Sequence, residues 1–470
     1  MSELPSGWAS CQLTDVGQIV TGKTPSTKEQ QFYGGNIPFI KPGDLNHSGL
    51  IFNTETFLTE AGAAEVPSLP PQSIIVTCIG ILGKVGLTTT SSATNQQINA
   101  VIPEAGINPN FLFHYCKTLK PWLENESSAT TIAIVNKGIF STAPVPLAPL
   151  AEQTRIAQKL DELLAQVDTL KVRLDAIPAL LKRFRQSVLA AAVSGRLTEE
   201  WRNQQKSRTN EASPTTGVDS DNILEAKAHP NLRANIWTKG SLSAFVEIDI
   251  GHAFKSGEFT DSGIRLLRGQ NIEPGALRWS ETKFYPEEKI SGLEKLYITE
   301  GDIILAMDRP IVSAGLKLAR AKKEDLPCVL VQRVSRFTNF KDLLPDYLML
   351  LLSDLSFQNY LLPNQTGSDI PHISGKQILS YPIKVPGLEE QTEIVHRVEQ
   401  LFAFTDQLEA KIKTAQARVN HLTQSILAKA FRGELVPQDP NDEPASELLT
   451  RIQAQRAAAP KAKRGRKVSA

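Results

Sequence analysis

A chain that carries one long stretch twice must fold into something with two equivalent parts. Moving the sequence by 238 positions lays residues 388–435 over residues 150–197 without a gap. Leu150-Ala151-Glu152-Gln153-Thr154 then faces Leu388-Glu389-Glu390-Gln391-Thr392. At the other end Gln186-Ser187-Val188-Leu189-Ala190 faces Gln424-Ser425-Ile426-Leu427-Ala428, and Gly195 faces Gly433. Between these ends runs a heptad stripe. Ile156, Leu160, Leu163, Val167, Leu170, Leu174, Ile177, Leu181, Phe184 and Val188 advance by alternating steps of four and three. Ile394, Val398, Leu401, Leu408, Ile412, Ala415, Val419, Leu422 and Ile426 do the same, with Thr405 as the polar interruption. Such steps keep one face of a helix apolar, which is the coiled-coil pattern. The spacing predicts a first helix from about Ala151 to Val193, stopped by Gly195. Pro178 removes a backbone donor, so a kink or short break is expected there, while its twin Gln416 leaves the second helix straighter. About 42 residues at 1.5 Å each is roughly 63 Å, longer than a small domain is wide.

The flanking sequence repeats more faintly. Trp8, Leu13 and Gly22 match Trp237, Leu242 and Gly251, and Ile37-Pro38-Phe39-Ile40-Lys41 matches Ile264-Arg265-Leu266-Leu267-Arg268. Further on, Gln72-Ser73-Ile74-Ile75-Val76 matches Gly301-Asp302-Ile303-Ile304-Leu305, Gln97 matches Gln332, and Pro109-Asn110 matches Pro345-Asp346. Short β-like runs at Ile37–Ile40, 73–77 and 99–102 are bounded by turn formers, and 110–116 reads as a buried helix. The expected fold is α+β: two mixed α/β domains separated by two long helices in an antiparallel coiled coil, with a pseudo-two-fold internal repeat. The expected boundaries are 1–149, helix 150–197, polar linker 198–235, 236–387, helix 388–435, and a tail at 436–470. A little helix is expected in the linker around Asp221 to Ala228, and another in the tail at 445–458, before the basic run Lys461-Ala462-Lys463-Arg464-Gly465-Arg466-Lys467.

Composition narrows the function classes by exclusion. No run reaches the 18 apolar residues of a membrane span, and Met1-Ser2-Glu3-Leu4-Pro5 lacks the features of a signal peptide, so a cytoplasmic protein is expected. Cys11, Cys78, Cys116 and Cys328 are too dispersed for a zinc site or a disulfide framework and read as reduced thiols. Cys78-Ile79-Gly80-Ile81-Leu82-Gly83-Lys84-Val85 has the wrong ends for a phosphate-binding loop. Asn108-Pro109-Asn110-Phe111 resembles the Asn-Pro-Pro-aromatic motif of amino-methyltransferases, but its third residue is wrong, so it reads as a helix start. No catalytic residues and no metal ligands are assigned.

A net charge of +1 leaves room for a local basic face. Two domains held apart by a stiff helix pair suit a reader of two DNA half-sites, which lie about 34 Å apart or a multiple of that. The candidate contacts in the first domain are Lys23, Lys41, Lys84, Asn95, Gln96, Gln97 and Lys137. In the second they are Lys255, Arg265, Arg268, Gln270, Asn271, Arg309, Arg333 and Lys376. Arginine reads guanine bidentately, while Asn and Gln read adenine. Lys41/Arg268 and Lys137/Lys376 stand out as matched basic positions. Arg155, Lys159, Arg183 and Arg397, beside the heptad stripe, are candidate docking residues for partner helices.

These features resemble the specificity subunit (HsdS) of type I restriction–modification systems over nearly the whole chain. The likeness rests on the repeat and on three stretches similar to the type IA branch: Leu150-Ala151-Glu152-Gln153, Leu180-Leu181-Lys182-Arg183-Phe184-Arg185-Gln186-Ser187-Val188-Leu189, and Thr423-Gln424-Ser425-Ile426-Leu427-Ala428-Lys429-Ala430-Phe431-Arg432-Gly433-Glu434-Leu435. Pro178 fits that branch as well. The resemblance implies a non-catalytic subunit in which two target-recognition domains read a bipartite double-stranded DNA sequence. It implies helices that set the spacer and dock two modification (methyltransferase) subunits, with restriction subunits joining that core. S-adenosylmethionine, ATP and Mg would then belong to those partners, no cofactor to this chain, and no membrane would be involved. Two other readings are a scaffold that holds two proteins apart without DNA readout, and an enzyme with methyltransferase or nuclease activity of its own.

Overall fold

The computed structural model describes residues 4–45, 49–51, 53–128, 132–211, 237–364 and 371–458. The helix expected at Asp221 to Ala228 and the basic terminus lie outside the described residues. The chain forms two compact units, Met1–Asp175 with Lys413–Ala470, and Ala176–Ile412. The boundaries fall inside both long helices rather than at the junctions of domain and helix. Each unit is therefore a mixed domain sealed by part of each helix.

In the first unit a five-stranded sheet has the spatial order Gly17–Thr21, Ile98–Pro103, Ile74–Thr77, Val85–Thr88, Leu50–Ile51. A second sheet places Tyr33–Ile40 between Phe57–Leu58 and Ala93–Thr94. The strand Ala9–Gln12 pairs antiparallel with Pro144–Leu147, which delivers the chain into the first long helix. The second unit repeats this plan. Its four-stranded sheet runs Glu247–Ile250, Val334–Thr338, Ile303–Ala306, Leu318–Arg320. Ile264–Leu267 lies between Phe284–Tyr285 and Cys328–Leu330, and Thr238–Ser241 pairs with Pro382–Val385. The strands are short and bounded by Gly and Pro, and the central ones, Ile74–Thr77 and Ile303–Ala306, are buried at every position, as strands covered on both faces must be.

Phe111, Leu112, Phe140, Ile74 and Leu13 form the first core, closed by Ile156 and Leu160 of one long helix and by Leu427 and Ala430 of the other. Leu448 and Ile452 of the C-terminal helix Ala445–Ala458 join it. The second core gathers Tyr347, Phe337, Phe357, Leu305 and Leu348 under Val188, Ala192, Ile394 and Val398. Each fully buried aliphatic or aromatic side chain stabilises its unit by about 1.5–3 kcal/mol.

The long helices are Leu150–Val193 and Leu388–Ala430. The first runs unbroken through Pro178, so the short break expected there does not occur. A proline in a helix interior removes one hydrogen bond of a long ladder, at about 3 kcal/mol, and the bonds on either side hold the helix. The pairing is antiparallel within each unit. In the second, Arg185 bonds Asp406 at 2.6 Å and Arg397 donates to the Leu197 carbonyl at 2.9 Å. In the first, Gln416 donates to Asp175 at 2.8 Å, and beyond the end of the second helix Asp442 accepts from Arg155 at 2.6 Å.

The stripe is sealed at its ends and looser between. Ile156, Leu160, Val167, Leu181, Val188, Ile394 and Val398 are buried. Leu163, Leu174, Ile177, Leu401, Leu408, Ile412, Ala415, Val419 and Ile426 are half-buried. Leu170, Phe184 and Leu422 are 47%, 40% and 43% exposed, so they lie outside a seam expected to be continuous. Two helices alone cover only one side of each other. Thr405 is buried with its hydroxyl turned to the Phe402 carbonyl at 2.7 Å.

The motif that opens both long helices fastens helix to domain. Glu152 accepts the Trp8 indole N–H at 3.0 Å, and Glu390 accepts that of Trp237 at 3.2 Å. Gln153 accepts from the Asn108 amide at 2.9 Å and donates to the Ala148 carbonyl at 2.8 Å. Gln391 accepts from the Leu344 amide at 2.7 Å and donates to the Asp342 and Pro386 carbonyls at 2.8 Å. Asn108 and Leu344 stand just before the helices Pro109–Cys116 and Pro345–Ser353. The glutamine thus fills backbone bonds at a helix start, where donors are otherwise orphaned, and the Asn-Pro motif proves to be a helix cap.

Candidate nucleic-acid interface

At one edge of the first unit four segments meet. After the strand Gly17–Thr21, the Gly22 and Lys23 amides donate to the Ile98 and Thr94 carbonyls at 3.0 and 2.9 Å. Lys41 enters a turn that Asp44 closes by accepting the Lys41 amide at 2.7 Å. The loop 78–84 arrives from the central strands, and its Cys78 amide donates to the Gln97 carbonyl at 2.8 Å. Lys84 ties that loop to the turn, its ammonium donating to the Pro42 carbonyl at 3.2 Å.

The second unit repeats these bonds one by one. Gly251 and His252 amides donate to Val334 and Leu330 at 3.1 and 3.2 Å. Asn271 closes the turn by accepting the Arg268 amide at 3.2 Å. The Met307 amide donates to the Arg333 carbonyl at 2.8 Å, and Lys317 donates to the Gly269 carbonyl at 2.9 Å.

The matching bonds correct two pairings read from sequence spacing. Asn95 and Val331 amides donate to Ile40 and Leu267 carbonyls, each at 3.2 Å. Asn95 therefore corresponds to Val331, Gln96 to Gln332, and Gln97 to Arg333 rather than to Gln332. Asn136 and Ser374 both cap short helices by accepting the amide three residues on, at 2.9 and 3.2 Å. Lys137 thus corresponds to Gly375, and Lys376 to Gly138, so the two lysines are not a matched pair. The spacing misleads because the loops differ in length. Val76 pairs with Val85, whereas Leu305 pairs with Leu318, a loop four residues longer that forms a hairpin of Ile311–Val312 with Gly315–Leu316.

Lys41/Arg268 does hold as a pair. The structure adds Lys84/Lys317, which the sequence reading missed because the longer loop shifts Lys317 out of step. Burial, reinforced by nearby Arg309, pulls the Lys317 ammonium below its ordinary pKa.

The candidates separate into groups. Lys23, Lys41, Lys84, Asn95, Gln96 and Gln97 lie together at the first edge. Asn95 is buried there, its side chain bonded to Gln97 at 2.9 Å, so it shapes the turn. Arg268, Gln270, Asn271, Arg309 and Arg333 belong to the second edge, where Asn271 is buried and committed to its turn. Arg268 donates to the Glu281 carbonyl at 2.6 Å and Gln270 to the Glu281 carboxylate at 3.1 Å. Burial lowers the Arg268 pKa. Arg265 is spent on structure, donating to the Leu326 carbonyl at 2.6 Å and lying over the Trp279 ring at 4.7 Å. Lys255 is exposed just before the turn Ser256–Glu258. Lys137 sits in a cleft with Thr14, Gln18, Glu104 and Arg456, and Lys376 in one with Ser243, Ile248 and Ile250.

Among the expected docking residues, Arg155 is taken up by Asp442, Arg397 by Glu393 at 2.6 Å and the Leu197 carbonyl, and Lys159 by Glu162 at 2.8 Å. All four thiols are free, and burial pushes Cys78 up to about 11 and Cys328 to about 12. No helix among the described residues is long and apolar enough to cross a membrane.

An edge of basic and amide side chains is built twice on one chain, once in each unit. The family model for the type I restriction modification DNA specificity domain matches residues 5–179 and 236–415. The chain belongs to this family, and it is a non-catalytic DNA specificity subunit with two recognition domains. It is 30% identical to the type I restriction enzyme EcoKI specificity subunit of Escherichia coli (strain K12), covering 99% of both chains. To the EcoDI specificity subunit of Escherichia coli it is 34% identical, again over 99% of each. The crystal structure of the HsdS subunit from Thermoanaerobacter tengcongensis shares the fold, with a TM-score of 0.56 at 19% identity over 92% of this chain and 98% of that one. A chain from a structure of a type I R-M system assembly gives 0.60 at 18% identity, over 93% and 100%.

Proposed function

We propose that the chain reads a bipartite double-stranded DNA target, each unit's loop edge contacting one half-site. The observation that carries this is the recurrence of the same edge, with cations at Lys41/Arg268 and Lys84/Lys317 held on matching backbone bonds. A lysine in both halves at one place suits phosphate, the part of DNA that is alike in every sequence. Side chains that differ between the halves are left to read bases. The long helices set the spacer and dock two modification subunits, and restriction subunits complete the assembly in the cytoplasm. S-adenosylmethionine, ATP and Mg belong to those partners.

The test is a gel shift with the complex of this chain and its modification subunits. It should prefer one bipartite site over a scrambled one, with an affinity that falls as salt rises. Equal binding to both at every salt concentration would overturn the reading. Inserting four residues into the stripe near Leu174 or Ile412 should change the preferred gap or abolish assembly.

A further inference from the structure

We propose that Arg309 and Arg333 read guanine in the half-site bound by the second unit, and that the first unit, with Gly80 and Gln97 at the same backbone positions, does not. The inference rests on the DNA-reading function above and deepens it by assigning base type to one half.

The equivalence comes from the backbone. The Gly80 amide donates to the Ala133 carbonyl at 2.9 Å and the Arg309 amide to the Pro371 carbonyl at 2.7 Å. On either side, Val135 donates to Cys78 at 2.8 Å and Ile373 to Met307 at 2.9 Å. Both positions have positive φ, 80° at Gly80 and 43° at Arg309. Glycine adopts that conformation freely, whereas a long L side chain there is uncommon and strained. Arginine at a glycine position costs stability, and no side-chain bond among the described residues offsets that cost for Arg309. Arg333 also has positive φ, 64°, and corresponds to Gln97.

Neither guanidinium is needed inside the unit. Arg309 is exposed and its side chain has no hydrogen bond or ion pair among the described residues. Arg333 is 52% exposed, and its one ion pair among the described residues is with Asp308 at 3.5 Å, which orients it without neutralising it tightly. Arg265 is by contrast spent on backbone carbonyls, while Arg268 and Lys317 each give an N–H to one carbonyl that positions the charge. The two exposed guanidinium groups stand on adjoining loops, joined by the bond from the Met307 amide to the Arg333 carbonyl. A guanidinium matches the O6 and N7 acceptors that guanine presents in the major groove, with about 10- to 100-fold discrimination for a bidentate pair. Gly80 has no side chain to reach a base, and the carboxamide of Gln97 fits adenine better.

The experiment is methylation-site sequencing of cells carrying this chain with its own modification subunits, for the wild type, R309G and R333Q. R309G removes the strain and installs the first unit's residue, so its melting temperature should be unchanged or higher. The expected result is loss of a guanine from one half of the motif, with preference there falling about 10- to 100-fold and the other half unchanged. A motif unaltered in both variants, or relaxed in both halves, overturns the proposal. If methylation falls below detection, gel shifts with 7-deazaguanine at each guanine replace it. The wild type should lose affinity for a substituted site that R309G tolerates, and equal sensitivity overturns the proposal. A wild-type complex with no two-part motif would instead defeat the function proposed above.

Discussion

The two units solve one packing problem with equivalent residues and different partners. Glu152 and Glu390 both occupy the third position of a long helix, are 1% and 0% exposed, and accept an indole N–H. Around Glu390 the second oxygen is also filled, by the Thr198 hydroxyl at 2.7 Å and by the Arg202 guanidinium from the helix Glu199–Glu211. Glu152 has no such neighbour, and its Oε1 has no partner among the described residues. Burial raises its pKa, although the Trp8 bond and Arg155 pull the other way. The same carboxylate is thus the centre of a satisfied network in one unit and an under-satisfied buried acid in the other.

That difference predicts opposite responses to equivalent substitutions. Glu390→Ala strands a part-buried guanidinium and an indole N–H, and should cost the second unit about 3–5 kcal/mol, read by hydrogen exchange of its core strands. Glu390→Gln keeps the indole bond but removes the charge facing Arg202, and should cost about 1–3 kcal/mol. Glu152→Gln should leave the first unit as stable at pH 7 or more so, because an amide accepts the Trp8 bond without a buried charge. An equal loss in both units would break the comparison.

The pH dependence sharpens it. A carboxyl with a folded pKa above its ordinary value binds a proton more readily in the folded state. Its unit should therefore lose stability as pH rises from about 4.5 through the raised value. Protection of residues 148–160 against hydrogen exchange, corrected for intrinsic rates, should fall over that window in the wild type. In Glu152→Gln that contribution should be absent. The smallest effect lies at the loop edges, where the units agree. Lys84→Ala and Lys317→Ala should each weaken binding uniformly across sequences and reduce the salt slope by about 1. A change of sequence preference from either would move these lysines from phosphate to base contact.

The repeat, the helix pair and the core strands were legible in the sequence because heptad steps and short β-branched runs depend on local pattern. Glu152-Gln153 was legible as a motif but not as a fastener, since its partners Trp8 and Asn108 are distant in sequence. The recognition edges were only partly legible. Lys23, Lys41, Lys84 and Gln96 were found as polar residues in turns, but Asn271 and Arg265 carry the same chemistry and spend it on their own backbone. Which side chains stay free depends on which carbonyls a turn leaves open, and no spacing rule reports that. Lys317 escaped because a loop four residues longer shifts it, and Lys137/Lys376 looked matched although they stand one position out of step on their short helices.

The account stands on the claim that one chain presents two reading edges to one DNA target. Methylation-site sequencing of a host with and without this chain tests it most directly. The account predicts a two-part motif with a fixed unspecified gap that disappears when the chain is removed. A contiguous motif, or one that persists without the chain, would contradict it.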